Sequence, residues 1–119
     1  MNCTHEVDMA FVEDGLRMAS GRTQPGATNW QVYSPTGIYV DIDITSARFT
    51  GTPVIVTSIA GAGNHWATTG GSAIYPVPPD VLATATRFRV YVRWVDNSPL
   101  TPAQANAFKW HINWIGMEV

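Results

Sequence analysis

Ile38-Tyr39-Val40-Asp41-Ile42-Asp43-Ile44 sets a β-branched apolar residue at every second position, with a polar or amphipathic residue between each. Successive strand side chains point to opposite faces, so this spacing describes a half-buried antiparallel strand with Ile38, Val40, Ile42 and Ile44 inward. Two later stretches repeat the pattern. In Arg87 to Trp94, Phe88, Val90, Val92 and Trp94 oppose Arg87, Arg89, Tyr91 and Arg93. In Phe108 to Gly116, Phe108, Trp110, Ile112 and Trp114 oppose Lys109, His111 and Asn113. Pro53 to Ile59, β-branched and bounded by Gly51 and Gly61, reads as a more deeply buried strand.

Around these strands the chain is punctuated by turn residues. Gln24-Pro25-Gly26, Ala60-Gly61-Ala62-Gly63-Asn64, Gly70-Gly71-Ser72, Pro76-Val77-Pro78-Pro79-Asp80 and Asp96-Asn97-Ser98-Pro99 all break the alternation. Leu16 to Gly21 supplies a first strand and Ser72 to Tyr75 a short one, which brings the count to about six. Helical periodicity is weak; its best candidate, Glu6 to Met18, is broken by Gly15. Short strands at this spacing predict an all-β, six-stranded antiparallel β-sandwich over residues 15–119. Residues 1–14 form an N-terminal segment, either flexible or lying at an oligomer axis. Asp41 and Asp43 on one strand and the arginines of Arg87 to Trp94 can pair if those strands are neighbours, at about 0.2–1 kcal/mol per pair.

Composition narrows the function classes. At 119 residues the chain suits one domain with one core. Charged residues are 13% and the formal net charge is −2, so the basic stripe of a nucleic-acid binder is missing. Such a low charge count fits either a Ser/Thr/Gly/Asn-rich surface or a surface covered by sister subunits. Cys3 is the single cysteine, which rules out an intrachain disulfide and a thiolate metal cluster. Asn2-Cys3-Thr4 matches a glycosylation acceptor, but the N-terminus has no basic and apolar regions of a secretory signal. No apolar run approaches the roughly 18 residues of a membrane helix. The expectation is a cytoplasmic protein, or one released without a signal peptide, with no membrane insertion.

Enzyme motifs fail in turn. His5, His65 and His111 show no metal-ligand spacing, and no cofactor is implied. No G-x-S-x-G and no G-x-G-x-x-G occurs. Asp41 and Asp43 lie roughly 7 Å apart along one strand face, within the ~5–9.5 Å of a glycosidase pair. Nothing near them in sequence is apolar enough to raise one of the two, and outward carboxylates on strands are usually solvated or paired with arginine. The reading is non-catalytic.

Binding is better supported, because five tryptophans fall into two kinds. Trp110 and Trp114 alternate with polar residues in a strand, as core residues do. Trp30, Trp66 and Trp94 sit beside turns and polar residues: Asn29-Trp30, Asn64-His65-Trp66 and Trp94-Val95-Asp96-Asn97. Such rings either cover an end of the sandwich or stack on the apolar face of a sugar whose hydroxyls are met by neighbouring Asp, Asn and His groups.

Phe49-Thr50-Gly51-Thr52-Pro53-Val54-Ile55-Val56-Thr57-Ser58-Ile59, then Thr86-Arg87-Phe88-Arg89-Val90, then Trp110-His111-Ile112-Asn113-Trp114-Ile115-Gly116, in that order, resemble the H-type lectin domain of snail agglutinins and of slime-mould discoidins. The resemblance runs from about Leu16 to Val119. It implies a trimer or a pair of trimers, metal-independent binding of galactose or N-acetylgalactosamine near subunit borders, and a role as a multivalent agglutinin or in cell adhesion. Trp94 falls at the first residue of the family's Trp-His pair, with Val95 in place of His and Asp96-Asn97 following. His65 falls near the family's basic residue of the central loop, and Thr28-Asn29 stands where an acidic residue precedes the early Trp. The family's cysteines are absent, as fits a non-secreted, discoidin-like member.

The site expected on these grounds comprises Asn64, His65, Trp94, Asp96 and Asn97. Trp94 would stack on the sugar, Asp96 would accept from two hydroxyls, and Asn97, Asn64 and His65 would orient the rest. The alternative is an oligomerisation module with no sugar binding, its tryptophans and low charge serving subunit contacts.

Overall fold

In the computed structural model, residues 4–5, 7–13, 16–81 and 85–118 are described, with side chains from residue 17 onward. Cys3 and the Asn2-Cys3-Thr4 acceptor asparagine lie outside them. The described chain is almost all β: β1 (Thr4–His5), β2 (Val7–Glu13), β3 (Leu16–Arg22), β4 (Gln31–Ser34), β5 (Gly37–Asp43), β6 (Val54–Ala60), β7 (Thr68–Thr69), β8 (Ile74–Tyr75), β9 (Arg87–Trp94) and β10 (His111–Met117), with one short helix, α1 (Pro102–Ala107). Two sheets result. The first runs β1-β5-β9-β7, with β4 also on β5 and β8 also on β9. The second runs β2-β3-β10-β6. Every pairing is antiparallel except β1, which lies parallel to Ile42 and Asp43 of β5.

The alternating segments do what their pattern requires. Ile38, Val40, Ile42 and Ile44 are fully buried, as are Phe88 and Val90, and Val92 is nearly so. Across the gap they meet Ile112 and Trp114 of β10 and the buried Trp110 that precedes it, forming one core between the sheets. Trp30 joins this core at 4% exposure, its indole Nε1 donating to the Trp110 carbonyl at 3.3 Å. The turn-flanked Trp30 is therefore a core residue.

The differences from expectation have local causes. The described residues form ten strands where about six were expected, because β1, β2, β4 and β7 are short or lack a clean alternation in sequence. Within the stretch of best helical spacing, β2 and β3 pair antiparallel, with Phe11 opposite Met18 and Glu13 opposite Leu16, while Glu6, Asp14 and Gly15 lie outside the described residues. β6 is an edge strand, paired to β10 alone, and not a doubly covered one. Its Val54 and Val56 consequently stand 57% and 62% exposed while Thr57 is buried. The helix α1 is announced by Thr101-Pro102-Ala103-Gln104. The Thr101 hydroxyl accepts from the Gln104 N–H, the Gln104 side chain accepts from the Thr101 N–H, and proline takes the first turn where no N–H is needed.

Between β7 and β8 the chain hugs β9 through Gly70, at φ +102°, where a Cβ would collide with the Tyr91 carbonyl. Both the backbone conformation and the close approach demand glycine. Gly70→Ala should lower stability by about 2 kcal/mol or more in denaturant unfolding. Gly51→Ala, with open space around it, should stay within about 0.5 kcal/mol of the parent.

Candidate functional site

Two loops meet at one end of the sandwich. The first, residues 61–67, is shaped by the core beneath it. The Trp110 indole donates from Nε1 to the Gly63 carbonyl at 2.8 Å, and the Ala62 N–H donates to Phe108 O at 2.8 Å. Gly61 lets the loop pass over Trp110, since a Cβ there would lie 2.7 Å from Trp110 Cδ1. Asn64 then turns the chain at φ +64°, a left-handed conformation that asparagine tolerates better than most residues. The single turn His65–Ala67 follows, closed by the Ala67 N–H on Asn64 O (3.1 Å) and the Thr68 hydroxyl on His65 O (2.6 Å).

The second loop leaves β9 at Trp94. The Val95 N–H donates to Ala67 O at 2.8 Å, which ties the two loops together, and Thr68 pairs with Trp94 across β7 and β9. The Asn97 N–H reaches back to Trp94 O at 3.0 Å, with Asn97 left-handed at φ +61°. The Asp96 carboxylate takes the Ser98 hydroxyl at 2.6 Å and the Ser98 N–H at 3.0 Å on one oxygen, Oδ1. The Ser98 hydroxyl first, and its N–H second, hold Asp96 below the ordinary carboxylate range. Its second oxygen makes no hydrogen bond among the described residues.

All five expected residues thus fall on two adjoining loops, with different parts to play. Asp96 and Asn97 are exposed; Asn64 and His65 are half-buried. Trp94 turns inward, its ring 5.0 Å from Trp110 and 6.3 Å from Phe108 in edge-on contacts. The aromatic that stands free is Trp66, 74% exposed, edge-on to His65 at 5.8 Å between centroids. His65 Nδ1 is buried and makes no hydrogen bond among the described residues, and the ring sits edge-on to Trp66. In sequence the stacking role falls to Trp94, with Trp66 left outside the expected site. Among the described residues no cluster of His, Cys, Asp and Glu could hold a metal, and no helix is long and apolar enough to cross a membrane.

The outer face of the first sheet carries the charged residues in pairs. Asp41 lies opposite Arg89, which grips it in a two-pronged bond: Nε to Oδ1 at 2.6 Å and Nη2 to Oδ2 at 2.9 Å. That bond to Asp41, aided by the Tyr91 hydroxyl and opposed by burial, raises Arg89 above its ordinary value. Its guanidinium also lies 4.0 Å over the Tyr39 ring. Arg87 bonds Asp80 instead, and Asp43 accepts the Thr45 N–H at 2.9 Å. Both oxygens of Asp41 are thus engaged by Arg89, and Asp43 is tied into the turn that follows its strand.

Comparison with family models, curated proteins and solved structures returned no match.

The Asp96 clamp makes a pH prediction. A carboxyl whose folded pKa is depressed contributes stability that is complete above its unfolded value of about 3.9 and is lost as pH falls through the lower folded value. In an NMR titration the Ser98 amide should therefore report a transition lying below that of an unperturbed aspartate, about 3.9. Ser98→Ala should bring the Asp96 transition up towards about 3.9.

Proposed function

We propose that this chain is a non-catalytic, carbohydrate-binding lectin whose site lies on the paired loops 61–67 and 94–98. One observation carries the reading: a tryptophan 74% exposed, Trp66, on a rigid loop bonded directly to a second loop that presents an unshared carboxylate oxygen and an amide. A free indole face suits the apolar side of a pyranose, and Asp96, Asn97, Asn64 and His65 offer acceptors and donors for its hydroxyls. Trp66 takes the stacking role, while Trp94 anchors the second loop to the core. The site is shallow. A single contact would bind at about 1 mM, and useful avidity would come from several sites on one oligomer, worth about 10²–10⁴.

The H-type resemblance of the sequence extends this to galactose or N-acetylgalactosamine glycans, held near subunit borders of a trimer or hexamer in an agglutinin or adhesion role. The two-sheet β fold is compatible with that architecture, though with ten strands in place of six. A second reading, an assembly module without a ligand, draws on the second sheet. There Val54, Val56 and Ile115 form an exposed apolar group on neighbouring strands, Val56 directly opposite Ile115.

A glycan array with the solution mass recorded on the same sample separates the two. The lectin reading expects selective binding that Trp66→Ala and Asp96→Ala each reduce at least tenfold, at an unchanged mass. Asn97→Gly keeps the left-handed turn and removes only the amide, so its loss would be smaller. The assembly reading expects no glycan binding by the parent, and a fall in mass with Val56→Lys.

A further inference from the structure

A second concavity lies on the outer face of the first sheet, beyond the loop site. It is an open groove of about 710 Å³ bordered by the β4–β5 hairpin on one side and the 69–75 segment on the other. Its size falls within the roughly 300–1,000 Å³ of small-molecule sites. Three tyrosines line it. Tyr91 forms the floor, with Tyr33 edge-on at 5.0 Å and Tyr75 edge-on at 5.1 Å from the opposite walls. The cross-packing holds these rings in place while Tyr33 and Tyr75 keep 66% and 46% of their surface exposed. Ser34, Thr36, Thr69 and Ser72 also line it, the Ser34 and Thr36 hydroxyls 3.4 Å apart.

Arg93 sits at the end of this groove, opposite Gly37 on β5 and Thr69 on β7. It is the arginine of β9 that the sheet leaves unmatched. Arg89 is bound to Asp41 and Arg87 to Asp80, but the residue facing Arg93 across the sheet is a glycine, and no carboxylate of the described residues lies within 4 Å of it. Gly37 also keeps the floor open, since a Cβ there would stand against Ser34 and Tyr33. The groove therefore combines fixed aromatic faces, residues with short hydroxyls and a planar cation that no carboxylate of the described residues pairs.

We propose that this groove is a second binding site, for a saccharide unit bearing one acidic group. The ring of such a sugar lies on the tyrosines, its hydroxyls meet Ser34, Thr36, Thr69 and Ser72, and its acid group is met by the two-pronged guanidinium of Arg93. The openness of the groove suits a residue within a longer chain. The proposal does not depend on the loop site, and it adds a selectivity for acidic sugars that the Trp66 loop, with its exposed Asp96, does not offer.

Amide-resolved NMR with the folded protein tests it, using glucuronate, glucose 6-sulfate and glucose as three separate probes at millimolar concentration. Glucuronate or the sulfate should shift the signals of Tyr33, Thr36, Ser72 and Tyr75, with glucose binding about tenfold more weakly. Which of the two acids binds tighter identifies the acid group. Arg93→Gln should reduce the acidic probe to the affinity of glucose, a loss of about tenfold for a charged hydrogen bond. Ser72→Trp, at an exposed wall position, should block all three. The proposal is overturned by shifts confined to Trp66, Asp96 and Asn97, which would leave the loop site standing alone. It is equally overturned by equal binding of glucose and glucuronate, or by an Arg93→Gln protein that binds as the parent does.

Discussion

The Trp110 indole holds together most of what this end of the molecule presents to solvent. It is fully buried, and each of its polar atoms is engaged: the ring N–H on Gly63 O, the backbone N–H on Ala105 O, and the carbonyl on the Trp30 indole. Its ring face is stacked on Phe108 and its edge met by Trp94. One side chain thereby fixes the 61–67 loop, the root of the 94–98 turn and the end of α1. A buried polar group left without a partner costs about 1–3 kcal/mol, so removal of this indole would leave the loops without their footing as well as the core with a hole. The exposed Trp66 depends on the buried Trp110 for its position.

This arrangement also explains which parts of the structure the sequence made legible. Ile38 to Ile44 and Arg87 to Trp94 declare themselves because each faces a core on one side and water on the other, and the two do pair residue for residue from Gly37–Arg93 to Asp43–Arg87. The Asp41–Arg89 bond follows from that register alone. β6 misled for a physical reason: a β-branched run signals a strand but not whether both its faces are covered, and edge position is a property of topology. β2 was not legible because Val7, Ala10 and Phe11 follow no clean alternation, and its pairing with β3 is what makes it a strand. The helix α1 was missed because six residues are too few for an apolar spacing to stand out, although its capping box, Thr101–Gln104, is local.

For the site, adjacency was legible and orientation was not. The residues of the two loops come together as their sequence suggests, because β7 brings residue 68 beside residue 94. Which tryptophan faces outward depends on what lies beneath each, and that is decided by Trp110 and Phe108, more than 40 positions further along the chain from Trp66. Trp94 and Trp66 have equally polar neighbours in sequence. Only the three-dimensional packing sorts one into the core and leaves the other in water.

The asparagines carry a further lesson about polar residues in loops. Asn64 and Asn97 both adopt left-handed backbone conformations, at φ +64° and +61°. Each therefore has a reason to be asparagine that owes nothing to a ligand. Asp96 is different: a clamp on Ser98 uses one oxygen and leaves the other exposed, so the turn is stabilised and a charged acceptor is presented by the same group. Arg93 differs again, since among the described residues neither backbone geometry nor an ion pair accounts for it. Residues whose local structural work is already explained carry less weight as ligand contacts than residues with an unmatched group held in place by their neighbours. On this molecule that criterion singles out the exposed face of Trp66, the free oxygen of Asp96 and the guanidinium of Arg93.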